Sequence, residues 1–326
     1  MERKTFFKNV NFRRFLILLG VILALYGAGR LYYRVTGGFM VSNITSTLPY
    51  DPRWDITPLT QAQEERIDAL LSQPYRYLGK GCQSYVFSSE DGKYVIKFFK
   101  YQRVRPQEWL KYFSAIPGVE AYRQRKIEKK KRELEYVFRS WIIAYEDLQP
   151  ETGVAYVHLN KSKNLIDHMT IYDKMGFKHV LDPNQFEFMV QQKATMLCPA
   201  IDEMMAKGDE EGAKHLLDRL LDMILSEYAR GMADNDHALM QNTGVIDGQP
   251  IHIDAGQFIK NAIVKDPKVY HQELFSKTYK FRLWLKEHHP ALEAHFNKRL
   301  REILGSQMDT LKPEFNKARA DRIPNA

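Results

Sequence analysis

Cysteine is scarce in this chain of 326 residues, which contains only Cys82 and Cys198. Two cysteines do not indicate a disulfide framework, and these two lack the spacing of a structural zinc site. An acidic excess is also missing, since 48 Lys and Arg residues against 40 Asp and Glu residues give a formal net charge of +8. A basic chain favours phosphates, nucleic acid or an anionic membrane as partners, and this length is sufficient for two lobes.

One long apolar run lies near the amino terminus. Residues 15–29 carry no charge, and five Lys or Arg residues precede them. This layout predicts a basic flank and membrane anchor over residues 1–34, with a single-pass contact with the membrane through residues 15–33. The alternatives are a cleaved signal sequence and an ordinary buried helix, but no Ala-x-Ala site follows the run. The basic flank favours a cytoplasmic amino terminus and an external body.

The segment after the anchor has a different composition. Residues 35–58 contain Gly-Gly, serines, threonines and three prolines, which predicts a linker. Thr60 and Gln63 form a capping box, so a helix is predicted to run from Thr60 to about Ser72. A further short helix is predicted between Pro106 and Phe113.

Two predicted strands then form a hairpin with a glycine-rich bend. Gly79 and Gly81 would let backbone amides approach a phosphate, and Ser84 could add a hydroxyl group. On the second strand, period-two alternation places Val95 and Lys97 on one face, so Lys97 can reach a ligand that lies against an apolar ceiling. An edge hairpin with an exposed lysine would have the same pattern.

A long helix is predicted over residues 119–149, with one apolar stripe that packs on the body. Its basic cluster from Arg123 to Arg132 could contact nucleic acid or anionic lipid. Glu128, Glu133 and Glu135 interleave with the cluster as helical ion pairs. We therefore predict a solvated charged face and expect no nucleic-acid partner.

Further strands are predicted in three segments, residues 154–159, 169–173 and 186–191. With the hairpin they would make an antiparallel sheet of about five strands. From residue 194 the chain becomes mostly helical, with a strongly amphipathic helix that ends at Gly231. Later helices are predicted over residues 271–288 and 291–304. The expected body therefore has a sheet followed by helices.

The stretch from Gly231 to Phe258 carries carboxylates at both ends of a predicted hairpin. Asp247-Gly248 marks the turn of this hairpin. Asp236 and Asp254 would then face one cleft. Because an isolated acidic loop is usually a solvated turn, the meaning of the stretch depends on what precedes it.

The order of these parts resembles that of the protein-kinase-like superfamily, in a divergent form. The resemblance covers roughly residues 77–258. It implies an α+β, bilobal fold: an N-lobe of antiparallel sheet and one long helix over residues 59–193, and a mostly helical C-lobe over residues 194–326. A transmembrane helix would precede both lobes. The resemblance also implies ATP and Mg²⁺ as cofactors.

The resemblance assigns a role to each matching position. The residues that correspond to nucleotide-binding parts are Gly79, Gly81 and Ser84 of the glycine-rich loop, Val95 and Lys97 of the third strand, and Gln191 of a strand that runs into the hinge. Asp236 occupies the place of the catalytic aspartate in His-Arg-Asp. Asp254-Ala255-Gly256 resembles Asp-Phe-Gly, which implies that Asp254 binds magnesium.

Several positions depart from the superfamily pattern. The metal-binding asparagine is expected five residues after Asp236, where this chain has Gln241, so we expect Asn242 in that role with Gln241 as the alternative. The long helix should supply a glutamate to Lys97, and we expect Glu135 with Glu133 as the alternative. His-Arg and Ala-Pro-Glu are missing, so neither a phosphate-regulated activation loop nor the usual peptide platform is expected.

The leading hypothesis is a membrane-anchored, ATP- and Mg²⁺-dependent phosphotransferase with an unknown acceptor, such as a protein, lipid, sugar or other small molecule. The alternative is a pseudokinase that binds nucleotide or a protein partner without catalysis. A third hypothesis is a basic protein that contacts nucleic acid or lipid through its long helix. Since ATP is scarce outside a bacterial inner membrane, the side of the membrane on which the body lies stays open.

Overall fold

A computed structural model of the chain describes residues 2–105, 112–113 and 116–315. Most of the helix predicted after Pro106 falls outside these residues. The helices and strands are, in chain order, α1 (Glu2–Thr36), α2 (Val41–Ile44), α3 (Gln61–Ser72), β1 (Tyr75–Lys80), β2 (Ser84–Ser89), β3 (Tyr94–Phe99), α4 (Tyr101–Val104), α5 (Val119–Glu146), α6 (Gln149–Thr152), β4 (Val154–His158), β5 (Met169–Tyr172), β6 (Lys178–Leu181), β7 (Phe188–Gln192), β8 (Thr195–Met196), α7 (Leu197–Ala206), α8 (Glu210–Arg230), β9 (Met232–Asp234), α9 (Leu239–Asn242), β10 (Thr243–Ile246), β11 (Gln249–His252), β12 (Phe258–Lys260), α10 (Pro267–His288) and α11 (Pro290–Leu304).

The N-terminal lobe is built on a seven-stranded sheet of order β4-β7-β3-β2-β1-β5-β6. The five strands from β4 to β1 pair antiparallel, and they include four of the five predicted strands, since the fifth, residues 169–173, is β5. The sequence-based expectation is incomplete at the β1 edge, because β5 pairs with β1 in parallel and β6 extends the sheet beyond it. The additional hairpin β5–β6 therefore lies beside the strand that leads into the glycine-rich bend.

Alternation along β3 separates two apolar layers. Phe98 faces one core, where its ring lies 5.9 Å from that of Phe188. Phe99 points to the opposite side and packs against Phe138 and Trp141 of α5, with ring centroids 5.9 and 6.5 Å away. Because side chains two residues apart share a face of a strand, Lys97 points to the same side as Phe99.

The structure corrects the prediction of a linker over residues 35–58. The chain turns at Gly37 and Gly38, and Phe39 then inserts between the rings of Tyr85 and Phe87 with only 4% of its surface exposed. A buried aromatic ring with two edge-to-face contacts fixes the path of the segment. These residues belong to the N-terminal lobe.

The C-terminal lobe is mostly helical. The apolar side of α8 is fully buried against α10 and α11, where Phe281 and Phe296 lie in the same core. Asp209 caps the start of α8 by accepting a hydrogen bond from Gly212 N, and the helix ends at Gly231, which has a φ of 82°. A glycine in this left-handed conformation is a common end of a helix. The predicted α+β architecture, with a sheet lobe, one long helix and a helical lobe, is confirmed.

The amino-terminal helix α1 stands apart from both cores. Residues Phe12–Thr36 have a mean hydropathy of 1.9, and none of their apolar window is buried. Among the described residues this is the one helix that is long and apolar enough to cross a membrane. Its length and composition alone indicate that it could cross a membrane.

Candidate functional site

The glycine-rich bend joins β1 to β2 at the mouth of the cleft between the lobes. Gly81 N donates to Ser84 O over 3.0 Å, and the buried Lys100 donates its amine to Gly81 O over 2.6 Å. Neither Gly79 nor Gly81 has a positive φ. A Cβ on Gly79 would meet no atom within 4 Å, and one on Gly81 would meet only Ser84 Oγ at 3.9 Å. Packing within the chain therefore does not explain these two glycines.

Lys97 lies opposite Val86 in the pairing of β2 with β3, two residues before the partner of Ser84, and is partly exposed. Its amine donates a hydrogen bond to the backbone oxygen of Ile253, the residue before Asp254. Burial lowers the pKa of Lys97 to about 8, although the negative charge of Asp254 acts in the opposite direction. The contact joins β3 of the N-terminal lobe to the residue that precedes the Asp-Ala-Gly segment.

Asp254 is exposed to the cleft. Its Oδ1 accepts a hydrogen bond from Gly256 N over 3.1 Å, which fixes the turn of Asp-Ala-Gly. Limited hydration within the cleft raises the pKa of Asp254 above its ordinary value, and the carboxylates of Asp234 and Asp236 act in the same direction while Lys97 opposes them. A carboxylate among like charges favours a bound cation.

The loop that carries Asp236 is held against the same segment. Strands β9 and β12 pair so that Asp234 lies opposite Phe258. Asp236 is 8% exposed, and its Oδ1 accepts from Ala238 N over 2.9 Å. The amine of the buried Lys277 bonds both the backbone oxygen and Oδ2 of Asp234, at 2.7 and 3.1 Å. Asp234 is therefore a structural residue, while Asp236 accepts a hydrogen bond from Gln257 Nε2 at 3.4 Å, next to the Asp-Ala-Gly segment.

Asn242 lies beside the strand that ends at Asp254, because its backbone oxygen accepts from Ile253 N over 2.7 Å. Its side chain is 7% exposed, and its Nδ2 has no hydrogen-bond partner among the described residues. A buried amide nitrogen that the fold leaves unpaired can donate a hydrogen bond to a ligand, whereas only the amide oxygen could bind a metal ion. Gln241, the alternative, is exposed, and the assignment of the metal to Asn242 stays a prediction.

These donors fit magnesium rather than a metal with an all-protein site. The described residues contain no group of three or more His, Cys, Asp and Glu side chains that could hold a metal ion. Mg²⁺ is commonly bound by one or two oxygen ligands together with substrate phosphates and water. Asp254 and Asn242 supply this type of donor.

The predicted pairing of Lys97 with a glutamate of the long helix is wrong in this structure. Glu135 accepts a hydrogen bond from Arg53 Nη2 at 3.1 Å, and Glu133 lies 3.9 Å from Lys129. Both glutamates lie on the solvated side of α5. The apolar side of α5 faces β3. A glutamate next to the charged cluster lies on the opposite side of the helix and does not reach Lys97.

Ser140 is the residue of α5 that reaches the Asp-Ala-Gly segment. Its Oγ donates to Ala255 O and accepts from Phe258 N, both at 2.6 Å. Sequence reasoning missed this residue. The sequence did contain a signal for it, since Ser140 is a polar residue within the apolar stripe, between Phe138 and Trp141. A buried hydroxyl group needs a hydrogen-bond partner, so such a residue is expected to bond a neighbouring segment.

Gln191 does not have the role that the resemblance implies. Its side chain is 1% exposed, and its Nε2 donates to Thr152 O at 2.5 Å and to His252 O at 2.8 Å. The amide therefore ties β11 to the N-terminal lobe instead of facing a nucleotide. Val95, opposite Gln191 in the register, is buried on the same side of β3 as Lys97.

Gln83 is a second residue that sequence reasoning missed. Its side chain extends from the glycine-rich bend across the cleft, so that a Cβ on Gly256 would overlap the side-chain oxygen of Gln83. A residue without a side chain at position 256 is therefore necessary for this close approach. The bend and the Asp-Ala-Gly segment are in contact in this structure.

Comparison with known proteins gives matches to solved structures alone. No family model matches the chain, and no curated protein does. A crystal structure of WbdD, a bifunctional kinase-methyltransferase, matches with 17% identity and a TM-score of 0.36 over 73% of this chain and 46% of the other. The chain thus spans less than half of the length of that WbdD chain.

Two further structures match at lower TM-scores. The complex of Rv3197 with erythromycin from Mycobacterium tuberculosis has 14% identity and a TM-score of 0.30, over 86% of this chain and 74% of the other. The ternary complex of APH(2")-IIa with streptomycin and ATP has 14% identity and a TM-score of 0.27, over 78% and 93%. The structure itself shows an α+β arrangement, with a seven-stranded sheet and one long helix in the first lobe and a mostly helical second lobe.

Proposed function

We propose that this protein is a membrane-anchored, ATP- and Mg²⁺-dependent phosphotransferase. One observation carries the proposal: the amine of Lys97 bonds the backbone immediately before Asp254, beneath a bend whose glycines the packing does not require. A phosphate-binding lysine, a metal-binding carboxylate and a glycine-rich loop over the phosphates are the parts that phosphoryl transfer uses.

Each residue has a role in this proposal. The bend that contains Gly79, Gly81 and Ser84 would lie over the phosphates, and Lys97 would neutralise part of their charge. Asp254 and Asn242 would hold Mg²⁺ through oxygen atoms. Bound ATP with Mg²⁺ supplies the transferable phosphoryl group. Asp236 would orient the acceptor hydroxyl and take its proton.

The segment after Asp254 supports an acceptor that does not bind as an extended peptide. From Gly256 the chain passes through β12 and a 3₁₀ turn, and α10 already begins at Pro267. A long activation segment that would bind a peptide is absent from this fully described part of the chain. A lipid, sugar or other small molecule with a free hydroxyl group, or a folded protein surface, fits better.

The substitution Asp254→Asn tests the proposal. It removes the charge that would bind the metal while keeping the size of the side chain, so transfer of the terminal phosphate to a cell extract should fall by about 10²-fold or more. Asp147→Asn is the matched control, because Asp147 forms an exposed pair with Lys260 at 2.9 Å, away from the cleft. Full activity in Asp254→Asn would rule the assignment out.

A pseudokinase is the second candidate function, and the position of Gln83 favours it. The Gln83 side chain contacts Gly256, and the amine of Lys97 bonds the backbone oxygen of Ile253, in the region where phosphates would lie. A thermal-shift titration with ATP and Mg²⁺, combined with the transfer assay, separates the candidates. Stabilisation by nucleotide without transfer to any fraction of the extract would support the pseudokinase, and transfer would exclude it.

The anchor and the activity together constrain the topology. We propose that α1 spans the membrane, since residues Phe12–Thr36 are apolar and exposed. An active enzyme needs ATP on the side of the body, whereas the basic flank favours a body on the external side. Protease added to sealed membranes of known orientation will show the side. A body on a side without ATP would contradict the phosphotransferase and leave the pseudokinase.

A further inference from the structure

A cavity of about 610 Å³ lies outside the catalytic cleft, at the junction between α1 and the sheet. Four of the residues that line it are basic: Arg30, Arg34, Lys80 and Lys174. None of the described residues that line it is acidic, and the remainder of the wall is Leu31, Tyr33, Gly37 and Tyr77. A concentration of positive charge with aromatic and apolar walls suits an anion that carries an apolar part.

The position of the cavity along α1 coincides with a membrane surface. Arg34 follows Arg14 by 20 residues in one continuous helix, so the two lie about 30 Å apart along its axis. This distance is the thickness of the hydrocarbon core of a typical bilayer. With Arg13 and Arg14 at one surface, Arg34 lies at the level of the opposite headgroups and Arg30 reaches that level by extending its side chain.

The additional hairpin β5–β6 closes the cavity on the other side. Lys174 donates its amine to Arg34 O over 2.8 Å, which ties the tip of the hairpin to the end of α1. Two large apolar residues at this tip, Met175 and Phe177, are 50% and 60% exposed. Exposed apolar side chains beside lysines are typical of a surface that rests on a membrane interface.

The two arginines are available to a ligand. Neither the Arg30 nor the Arg34 side chain forms a hydrogen bond or an ion pair within the part of the chain that the structure describes. The lysines are partly engaged: Lys80 donates to Gly37 O over 2.5 Å, and its amine lies 3.5 Å from the centre of the Tyr33 ring. An anion in the cavity would thus meet two uncommitted guanidinium groups and a lysine of the glycine-rich bend.

We propose that this cavity binds the headgroup of an anionic phospholipid from the membrane that α1 spans. The phosphate would lie among the four basic residues, and the acyl chains would continue along α1 past Leu31. Because Lys80 stands between Gly79 and Gly81, the headgroup would contact the bend through the Lys80 side chain, on the face of the sheet opposite to Lys97. The lipid therefore restricts the motion of the bend. This inference rests on the proposed membrane anchoring.

The first measurement establishes the anchoring by itself. The full chain is reconstituted in neutral phosphatidylcholine vesicles and tested by flotation. A chain that does not float contradicts the anchoring proposal. Once flotation is established, failure of the next measurement concerns the lipid site alone.

Retention of lipid then tests the site. Protein in detergent is mixed with equal amounts of phosphatidylglycerol and phosphatidylcholine, and the bound lipid is measured by native mass spectrometry. The wild type should prefer phosphatidylglycerol, and the double variant Arg30→Gln/Arg34→Gln should lose this preference by roughly tenfold or more. Arg13→Gln/Arg14→Gln is the matched control, with the same change at the opposite end of the helix, and should keep the preference. Equal loss in both double variants, or no preference in the wild type, would overturn the proposal.

Two further arms complete the test. Lys174→Gln removes a third cation from a different element and should also reduce the preference, so the result does not depend on α1 alone. Glycerol 3-phosphate that displaces the lipid at millimolar concentration would show a soluble phosphate ligand and refute a lipid. Hydrogen exchange of residues 79–84 should slow when phosphatidylglycerol is bound, and unchanged exchange would refute the restriction of the bend.

Discussion

Two pairs of glycines lie in neighbouring segments of this structure, and glycine is present in each pair for a different reason. Gly37 and Gly38 have φ angles of 68° and 75°, and a Cβ on Gly37 would lie 2.5 Å from the hydroxyl of Tyr77. Gly79 and Gly81 have no positive φ, and a Cβ on either would meet open space or a distant Ser84 hydroxyl. The fold requires the first pair. A ligand that approaches the backbone at Gly79 and Gly81 would explain the second pair.

The same contrast separates two aspartates of the stretch from Gly231 to Phe258. Asp234 is buried with Lys277 and holds α10 to the loop. Asp254 is exposed to the cleft, and its pKa is raised by limited hydration and neighbouring carboxylates. Packing and ion pairs within the fold account for residues such as Asp234 and Gly37. Residues for which they do not account, such as Asp254 and Gly81, indicate the candidate ligand site.

The substitution Lys97→Met should show the largest effect. Phosphate transfer should fall by about 10²-fold or more, because an oriented charge on the phosphates is lost. Thermal stability should stay the same or rise, because burial disfavours the charged lysine, as its lowered pKa shows. Turnover and thermal unfolding are measured together. Lys93→Met, at an exposed lysine before the same strand, is the control, and an equal loss of turnover there would contradict the assignment.

The two glycine pairs can be compared directly by alanine substitution. Gly37→Ala should lower the free energy of unfolding by about 1–3 kcal/mol, because alanine is strained at this φ and its Cβ meets Tyr77. Gly81→Ala should leave it within about 0.5 kcal/mol of wild type and weaken ATP binding roughly tenfold. Chemical denaturation and calorimetry measure the two quantities. A large loss of stability in Gly81→Ala, together with an unchanged stability in Gly37→Ala, would contradict the distinction between the two pairs.

The lowered pKa of Lys97 predicts a pH dependence of ATP binding. The protonated amine binds phosphate, and in the free protein it loses its proton as the pH rises through about 8. Affinity should therefore fall above that pH, by at most about tenfold per pH unit. In Lys97→Arg the charge persists and this fall should disappear. A wild-type affinity that stays constant between pH 7 and 9 would contradict the role of Lys97.

Glu135→Gln should have the smallest effect. Glu135 pairs with the half-exposed Arg53 and not with Lys97, so turnover should stay within about twofold of wild type. Arg53→Gln serves as the control that breaks the same pair from its other end. If Glu135→Gln reduced turnover as strongly as Lys97→Met, the expected lysine–glutamate pair would form during catalysis.

Local signals made much of the fold predictable. The capping box of Thr60 and Gln63 starts α3, and Asp247 and Gly248 form the turn between β10 and β11 with φ angles of 48° and 72°. Both signals depend on neighbours in the sequence. The alternation that places Lys97 on the face of α5 is equally local.

The missed features depend on partners that are distant in the sequence. β6 has exposed residues on an edge strand and pairs only with β5, so its pattern is weak. Gln191 lies where the sequence pattern predicts a hinge residue, but its Nε2 donates hydrogen bonds to Thr152 O and His252 O. Ser140 similarly acquires its meaning from Ala255 and Phe258, more than a hundred residues later. Sequence pattern identifies such side chains as polar and does not identify their partners.

The magnesium dependence of ATP binding tests the central claim most directly. Calorimetric titrations with ATP are made with and without Mg²⁺ on the wild type and on Asp254→Asn, with Asp147→Asn as the control. The account predicts that Mg²⁺ strengthens ATP binding by about tenfold or more in the wild type and the control, and that Asp254→Asn loses this gain. An equal gain from Mg²⁺ in all three proteins would contradict a metal site at Asp254.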